Sequence, residues 1–437
     1  MNYWENMMSD NFIIPVYSLI PFVLMLGSIA MLPLFANHFW ESNKNKLIVA
    51  LILGIPTAIW LAAVGMSYEL EHTMLFDYIP FIILLGSLFV ISGGIFVDGT
   101  LAPTAKTNTI ILAIGAVLAS FMGTTGAAML LIRPIIQANR NRKYKVHTIL
   151  FFIGIIANCG GLLTPLGDPP LFMMYLRGAP FEWFFKLFPE WLIANFLLLT
   201  IYFIYDTIQY KKEDLKDLHI ENKEPIRIRG NLNFVWLFGV VLAVALINPN
   251  VMPFVKAGHY SSYLREFVFL LMAFLSLKFT QKKVRESNNF NYAPIIEVAY
   301  LFLGIFITMV PCLEYLKANA GHLGIDTSVM FYYASGSLSS FLDNTPTAVT
   351  FHSLALGLPM DGYSSIVSGI PEIFLKSISV GAVFFGSMTY IGNGPNFMVK
   401  AIAESEGVPM PSFFGYMVKF SLIVLLPIFI LVQIVCL

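Results

Sequence analysis

Long runs of apolar residues, separated by short polar stretches, dominate the 437-residue chain. A hydrocarbon core of about 30 Å requires roughly 20 apolar residues in a helix. Eight runs meet this length without interruption and predict plain crossing helices near residues 12–35, 46–66, 74–97, 190–208, 232–248, 265–280, 290–312 and 412–437. The pattern therefore predicts an all-α integral membrane protein.

Four further apolar runs, near 108–136, 147–176, 327–356 and 376–404, are interrupted by Gly, Pro, Thr, Asn and Asp. Backbone groups freed by such a break cannot face lipid, so they must be buried in protein or line a watery cavity. In the first and third runs the arms beside the break have only about 10 to 15 residues, which is too short to cross. We expect these two to be re-entrant hairpins and the other two to be helices that unwind and restart. The four breaks together predict one site.

Two pairs of these breaks are related by an internal repeat. Residues 119–128 match 339–348 at an offset of 220, and both share the pattern Ser-Phe-apolar-x-x-Thr. Residues 161–173 match 386–398 at an offset of 225, and both read Gly-x-x-Thr-x-apolar-Gly-(Asp/Asn)-x-Pro-x-Phe-Met. Two matches in the same order indicate a duplication of the chain.

The distribution of Lys and Arg predicts how the two halves are oriented. Residues 136–147 are strongly basic, whereas the equivalent residues 356–367 contain no Lys or Arg. Cytoplasmic loops retain positive charge, so the halves are expected to be inverted. Inverted repeats with discontinuous helices are typical of secondary transporters. The predicted organisation is N-terminal membrane helices at 1–73, a first repeat at 74–208, a cytoplasmic linker at 209–231 and a second repeat at 232–437.

Composition excludes several other classes of protein. Only 12% of the residues are charged, against about 25% in soluble proteins. Lys+Arg and Asp+Glu both total 26, so there is no basic excess to indicate nucleic-acid binding. We find no nucleophile motif or Cys/His metal cluster in a usable context, and we expect neither an enzyme nor a cofactor other than a coupled sodium ion. The N-terminus lacks a positive signal region, and we expect it to be retained and periplasmic in a multi-pass protein of the bacterial inner membrane.

The breaks contain two carboxylates, Asp168 and Asp343. A carboxylate at membrane depth costs about 2.5–3.5 kcal/mol, which makes it a functional candidate, here for binding sodium or a proton. Capping remains an alternative for Asp168, because Asp168-Pro169 is also the signature of a helix start. Asp343 has less structural reason to be acidic, because Asn344 or Thr345 can cap the following helix instead.

Neutral polar residues in the same breaks are candidates for completing the site, because hydroxyl and carbonyl oxygens replace the water shell of sodium. We predict a sodium site formed by Asp343, Asn344, Thr125 and Asp168. Further ion or proton ligands are predicted at Thr345, Thr124, Thr164, Thr389 and Asn393. Substrate or supporting contacts are predicted at Asn158, Ser387 and Asn396, with a helix-to-helix hydrogen bond equally open for Asn158.

Two of these segments resemble a known superfamily. Residues 160–170 are similar to the Gly-Gly…Thr…Ile-Gly-Asp-Pro-Pro stretch of arsenite-permease-like members of the ion transporter superfamily. Residues 340–346 resemble the Asp-Asn-x-Pro hairpin of NhaD-type sodium/proton antiporters, and about 75–437 resembles bacterial citrate transporters or sodium:proton antiporters of that superfamily. The resemblance implies a homodimer in which a transport domain, carrying two hairpins and two unwound helices, moves like an elevator against a scaffold domain.

The residues at the hairpin tips indicate which transported substrate to expect. Sodium-coupled dicarboxylate carriers in the superfamily carry Ser-Asn-Thr at each tip, whereas the tips here read Gly123-Thr124-Thr125 and Asp343-Asn344-Thr345. A carboxylate at the second tip would repel a carboxylate substrate unless it is protonated or paired with a cation. We therefore predict a sodium/proton antiporter with an elevator mechanism. The alternative is a sodium- or proton-coupled symporter of citrate or another carboxylate.

Overall fold

The computed structural model describes residues 13–214 and 225–437, and the chain is almost entirely helical there. The first half contains α1 (Ile20–Phe35), α2 (Asn37–Trp40), α3 (Asn43–Ala63), α4 (Ser67–His72), α5 (Ile79–Ser92), α6 (Ala105–Met122), α7 (Thr124–Ala138), α8 (Val146–Ile155), α9 (Pro169–Leu176) and α10 (Phe188–Tyr210). The second half contains α11 (Asn233–Leu246), α12 (Tyr263–Phe279), α13 (Lys282–Ser287), α14 (Ala293–Asn319), α15 (Ser328–Ser339), α16 (Asn344–Leu356), α17 (Glu372–Phe385), α18 (Gly394–Ser405), α19 (Phe413–Tyr416) and α20 (Leu426–Cys436).

Short 3₁₀ and π segments and two small β-ladders complete the described structure. The 3₁₀ segments cover Val16–Leu19, Cys159–Leu163, Phe181–Leu187, Tyr260–Ser262, Ala320–His322 and Gly386–Met388. Antiparallel pairs join β1 (Phe96–Asp98) to β2 (Arg227–Arg229) and β3 (Ile366–Val367) to β4 (Ile370–Pro371). The predicted periplasmic N-terminus, in residues 1–12, lies outside the described residues, as does 215–224 of the predicted linker.

Within the described ranges, eight helical segments are long and apolar enough to cross a membrane. Six coincide with predicted plain spans, and two, Ala105–Met122 and Val146–Leu163, lie in interrupted runs. The predicted spans 232–248 and 265–280 are shorter as helices, because α11 has 14 residues and α12 has 17. Helix α12 also places the charged residues Arg265 and Glu266 in its first turn. The all-α prediction is confirmed.

Two of the predicted plain helices are continuous spans that contain a π-helical segment, which the sequence did not predict. These segments are Thr73–Tyr78, just before α5, and Met417–Leu425, just before α20. Each is followed by a proline in the first turn of the next helix, Pro80 or Pro427. Proline lacks the N–H needed to continue a regular hydrogen-bond ladder, and a widened turn accommodates this loss.

The first interrupted run is a helical hairpin. Asn108 at the start of α6 and Asn139 after the end of α7 exchange two side-chain hydrogen bonds of 2.9 Å, so the two ends of the run lie together. The reversal occurs at Gly123, whose φ of +80° is a conformation that residues with a side chain rarely adopt. The arm length was predicted incorrectly, because α6 begins at Ala105 and has 18 residues. The chain turns back despite this length.

An ionic cluster lies at the base of this first hairpin. The carboxylate of Asp206 in α10 accepts two hydrogen bonds from Arg142, at 2.5 and 3.1 Å, and lies 2.8 Å from His147 Nε2. Tyr202 and Asn108 also donate to it, at 3.1 and 3.2 Å. The cluster therefore joins α6, α8 and α10 through one buried carboxylate.

The third interrupted run is also folded back, as α15 and α16 with a tip at 340–343. The rings of Phe331 and Phe351, one on each arm, lie 6.4 Å apart edge to face. Helix α15 packs closely against α17, where Ser339 donates to the carbonyl of Ala382 at 2.6 Å. This hairpin is thereby joined to the second unwound helix.

The two unwound helices have the same local backbone structure. A 3₁₀ turn follows α8 and another follows α17, and then Thr164 and Thr389 are extended, with φ,ψ of −144°,161° and −138°,168°. Asp168 and Asn393 then occupy the N-cap positions of the restarting helices, with φ,ψ of −138°,141° and −148°,137°. The repeat found in the sequence thus recurs in local backbone geometry, while its inversion across a membrane stays a prediction.

Unbroken helices, here called the frame helices (α3, α5, α11, α12 and α14), pack together beside the interrupted runs. The C-terminal end of α5 lies among basic segments, because β1 pairs with β2 there and Arg285 donates to the carbonyl of Val90 at 2.8 Å. We call this the basic end of the molecule. The other end of α5 follows the π segment that contains Asp77.

Candidate functional site

The four breaks meet at one buried carboxylate, that of Asp168, which is 1% exposed. Thr124 Oγ1, from the first hairpin tip, donates to Asp168 Oδ1 at 2.9 Å, and Asn393 Nδ2, from the second unwound helix, donates to the same oxygen at 3.3 Å. Asn344 Nδ2, from the second hairpin tip, donates to Asp168 Oδ2. Each donor and the acceptor come from a different interrupted run, so the structure assembles the single cluster that the sequence predicts.

The structure bears on one of the two roles left open for the Asp168 side chain, that of a helix cap, while ion binding stays a prediction. Asp168 does occupy the N-cap position of α9, but its side chain makes no capping hydrogen bond. Pro169 and Pro170 follow it and have no N–H to offer, and the first N–H of the helix, on Leu171, donates to the main-chain carbonyl of Asp168 at 3.0 Å. Both carboxylate oxygens are therefore left to receive donors from the other breaks.

Asp343 shows the opposite arrangement, and here the sequence interpretation was wrong. Its carboxylate caps α16, accepting a hydrogen bond from the main-chain N–H of Thr345 at 3.0 Å. Asn344 and Thr345, the expected caps, are instead the first residues of the helix. An Asp at the N-cap position satisfies a free helix N–H better than a residue already inside the helix. Asp343 thus has a structural role in addition to any role in binding.

Two oxygen atoms beside Asp343 are buried without a hydrogen-bond partner. They are Oδ1 of Asn344 and Oγ1 of Thr345. The amide nitrogen of Asn344 is occupied by Asp168, which leaves its oxygen as a free acceptor. Buried polar atoms in proteins are nearly always satisfied, so the Asn344 oxygen indicates a missing cation or hydrogen-bond donor. The Thr345 hydroxyl can accept such a partner too, although it can also donate.

A cavity of about 100 Å³ lies between the tips and the frame helices. Its polar lining comes from the tips and the second unwound helix and comprises Thr124, Thr125, Asp343, Asn344 and Asn393. Its apolar lining includes Leu88 and Phe89 of α5 and Pro294 and Ile295 of α14. The described residues that line it include no Lys, Arg or His. Thr125 lines the same cavity as Asp343 and Asn344, and its role as an ion ligand stays a prediction.

Four helices begin at this cluster: α7 at Thr124, α9 at Pro169, α16 at Asn344 and α18 at Gly394. The N-terminus of a helix carries a partial positive charge from its aligned peptide dipoles. These four ends meet around Asp168, and their partial charge favours negative charge at this point. The site therefore combines oxygen ligands suited to a cation with helix ends suited to an anion. Among the described residues, no group of three or more His, Cys, Asp or Glu side chains is arranged to hold a metal.

The hydroxyls of Thr164 and Thr389 are used within the protein. Each donates to a main-chain carbonyl in the neighbouring hairpin, that of Ser120 for Thr164 and that of Ser340, at 2.5 Å, for Thr389. Thr389 also accepts from two main-chain N–H groups, so its hydroxyl is fully occupied. These hydrogen bonds join each unwound helix to its hairpin. The geometry of the two hydroxyls therefore favours this structural role instead of a role as ion ligands. The two serines were not singled out from the sequence, although their Ser-Phe motif was part of the repeat.

Asn158, Asn396 and Ser387 lie behind the site. Asn158 Nδ2 donates to Asn396 Oδ1 at 2.8 Å, and Asn393 Nδ2 donates to Asn158 Oδ1 at 3.1 Å. Asn396 Nδ2 bonds the carbonyls of Gly386 and Thr389, at 2.8 and 2.9 Å. Ser387 donates to a carbonyl of its own helix at 2.5 Å. All three side chains are fully buried, so they support the two unwound helices from within, and for Asn158 the helix-to-helix hydrogen bond is observed.

Comparison with known proteins places these features in a family. The family model described as "Putative citrate transport" matches residues 11–437. An uncharacterized transporter of Methanocaldococcus jannaschii is 24% identical over 273 residues, which cover 59% of this chain and 66% of the relative. Uncharacterized transporters of Mycobacterium bovis and Mycobacterium tuberculosis are each 23% identical over 319 residues, covering 69% of this chain and 70% of their own lengths. The alignments thus span about two thirds of these relatives.

Proposed function

The chain belongs to the "Putative citrate transport" family, and from this premise we propose that it is a secondary active transporter that exchanges sodium ions for protons. One observation carries the choice of a cation. The cavity at the hairpin tips is lined by Asp343 and by Asn344, whose side-chain oxygen is buried without a hydrogen-bond partner, and its described lining contains no cationic side chain. Thr345, the next residue in the chain, carries a second buried oxygen without such a partner. Oxygen atoms without donors are the ligands that a sodium ion requires.

In this proposal the two carboxylates have different tasks. Asp343 lies in the cavity wall and contacts the transported ion directly, together with Asn344, Thr345 and Thr125. Asp168 is enclosed by three donors and sets the negative charge of the cluster. In this proposal a proton and a sodium ion both neutralise the negative charge of the cluster, and both bind at the same residues. They therefore compete for the site, which is the physical basis of exchange.

Alternating access would follow if the interrupted runs move as a unit past the frame helices. The hydrogen bonds around Asp168 tie all four breaks together, so the bound ion would travel with them. The elevator movement, the inverted repeat and a homodimer joined through the frame helices are parts of this proposal. Mass measurement in mild detergent tests the homodimer, and a stable, active monomer would remove that part.

Coupled symport of citrate or another carboxylate is the second candidate. The description of the family supports it, and so do the four helix N-termini that converge on the site. A sodium ion bound at Asp343 would neutralise the carboxylate that otherwise repels the substrate. The same residues would then bind the coupling ion, and the anion would be held by the helix ends.

Transport by the purified protein in liposomes separates the two candidates. A sodium gradient is imposed on liposomes containing a pH-sensitive dye, and uptake of labelled citrate is measured in parallel. Sodium/proton exchange predicts sodium-driven proton movement that needs no citrate and is absent in liposomes carrying Asp343→Asn. Citrate symport predicts sodium- or proton-dependent uptake of label without proton movement in the absence of citrate. This second result would overturn the exchange proposal.

A further inference from the structure

A second set of contacts joins the interrupted runs to the frame at the end opposite the basic end. Arg177, just after α9, forms an ion pair with Asp77 in the π segment before α5, with Nη2 and Oδ2 3.1 Å apart. Their side chains are only 15% and 11% exposed. The pair is therefore largely shielded from water, and salt screens it less than it would an exposed pair.

Tyr175 in the last turn of α9 adds two contacts to the frame. Its hydroxyl donates to the carbonyl of Val244 in α11 at 2.9 Å. The guanidinium of Arg265 in α12 lies 5.1 Å from the centre of its ring, a distance typical of a cation–π contact. Helices α11 and α12 and the π segment before α5 thus contact one end of α9.

These contacts are remote from the candidate site. The cavity at the hairpin tips touches Leu88 and Phe89 on α5, whereas Asp77 lies 11 residues before Leu88. At 1.5 Å per residue this is roughly 16 Å along the helix. The cavity also touches Pro294 in the first turn of α14, next to the basic end. The site therefore lies near the basic end, and the contacts between α9 and the frame lie at the other end.

We propose that Asp77–Arg177 and the Tyr175 contacts form an outer latch that holds the transporter in its inward-facing arrangement. This inference rests on the proposed function, in which the basic end is cytoplasmic and the interrupted runs move. A shift of α9 toward the outer side separates Arg177 from Asp77 and Tyr175 from Val244. Both contacts must therefore break before the site reaches the outside.

The surroundings of the latch are suited to repeated opening. A cavity of about 280 Å³ lies beside it and is lined by polar groups that include His72, Asp77, Asn248, Ser262 and Arg265. Such a cavity is polar and large enough to hold several water molecules. Water there can solvate Asp77 and Arg177 when they separate, which lowers the barrier to opening compared with a dry contact.

Labelling of a single cysteine tests the latch without any cargo. The three native cysteines, Cys159, Cys312 and Cys436, are first replaced by serine or alanine. Ala179→Cys is then introduced, because Ala179 lines the cavity beside the latch and is only 2% exposed. Whole cells are treated with a membrane-impermeant maleimide. We expect Arg177→Gln to raise the labelling rate roughly tenfold, because loss of the ion pair increases the outward-facing population. Glu286→Gln, which breaks an exposed pair on α13, is the matched control and should leave the rate unchanged.

Two more variants keep the test decisive if Arg177→Gln folds poorly. Tyr175→Phe removes only the hydroxyl and is expected to raise labelling roughly threefold. The charge-reversed double variant Asp77→Arg with Arg177→Asp should return labelling toward the parent rate. Unchanged labelling in folded Arg177→Gln and Tyr175→Phe overturns the latch, and so does an increase that charge reversal does not reduce.

The liposome assay distinguishes a failure of the proposed function from a failure of the latch. If the parent protein moves neither sodium against protons nor citrate in liposomes, the transport proposal fails whatever the labelling shows. If transport is present and the labelling is insensitive to the latch variants, only the latch is wrong. The two measurements therefore have independent outcomes.

Discussion

Asp168 and Asn393 occupy equivalent positions 225 residues apart in the two halves of the chain, and Asn393 Nδ2 donates to Asp168 Oδ1 at 3.3 Å. Both occupy the N-cap position of a restarting helix, with nearly the same backbone angles. Two aspartates at this distance would repel each other, and one would be forced to take up a proton. With Asn in one half, the duplication yields a single carboxylate held by an amide. The asymmetry thus avoids a repelling pair of carboxylates at the two equivalent positions.

Asp168→Asn is expected to disturb both transport and stability. The aspartate accepts from donors on both of its oxygens, whereas asparagine offers one oxygen and one NH₂ group. The new NH₂ would face a donor, either on Asn344 or on Asn393. We expect a loss of roughly 1–3 kcal/mol of stability, as for other unsatisfied buried groups. Proteoliposome exchange should fall at least about tenfold, since the cluster loses its charge.

Thermal unfolding in detergent and the liposome assay measure these two effects. Asp361→Asn serves as the control, because Asp361 is an exposed aspartate outside the cluster. If Asp168→Asn transports and unfolds as the parent does, its carboxylate neither carries charge for transport nor organises the breaks.

Asp343→Asn should remove exchange while leaving the protein folded. Asparagine caps a helix about as well as aspartate, so the N-terminus of α16 stays satisfied. Asp343→Ala also loses the cap and should be less stable by about 1 kcal/mol. Comparing the two variants by unfolding and by sodium-driven proton movement separates capping from ion binding. Normal exchange in Asp343→Asn would move the carboxylate symport candidate ahead.

Much of this architecture follows from the sequence because membrane insertion leaves few choices for the backbone. Long apolar runs must be helices, and polar interruptions must be buried, which identifies the four breaks. The repeat at Thr164 and Thr389 then predicts that their surroundings are alike, and the backbone angles agree. The convergence of the breaks at one cluster follows from the same reasoning.

Side-chain roles were harder to predict, because they depend on partners distant in the chain. Whether Asp168 caps its helix or binds other groups is decided by Thr124, Asn344 and Asn393, which approach from other runs. Sequence spacing does not show which of two adjacent residues begins a helix, so the cap was assigned to Asn344 or Thr345 instead of Asp343. Boundaries of this kind vary by one or two residues, and a capping role changes with them.

Thr345→Val tests the unpartnered hydroxyl. Valine has nearly the same shape and removes only an oxygen that has no hydrogen-bond partner in the protein. We expect unchanged stability and a several-fold higher KM for sodium, because one ligand oxygen is lost. Thr347→Val is the matched control on the same helix, since the Thr347 hydroxyl is already occupied by the carbonyl of Asp343 at 2.9 Å. Equal sodium dependence in the two variants would exclude Thr345 as a ligand.

The inverted repeat predicts that the bases of the two hairpins face opposite sides of the membrane. Cysteine labelling at Asn141 and Ser364 tests it, because both are exposed and each lies after one hairpin. Gly362 is less suitable because its φ of +89° would strain any side chain. An impermeant maleimide should label Ser364→Cys in intact cells and Asn141→Cys only after the membrane is opened. Labelling of both from one side would contradict the inversion.

Asp206→Asn is expected to be the most destabilising of these changes. Asp206 accepts two hydrogen bonds from Arg142, a fully buried arginine whose other acidic neighbour, Glu213, is 3.7 Å from its Nε. Removing the carboxylate leaves the guanidinium charge largely uncompensated, and such losses cost about 3–5 kcal/mol. Glu286→Gln provides the control, because its pair with Lys282 is exposed and contributes at most about 1 kcal/mol. A clearly lower unfolding temperature for Asp206→Asn than for Glu286→Gln is the expected result. Equal temperatures would show that the first hairpin is held at its base by the Asn108–Asn139 amide pair without help from the ionic cluster.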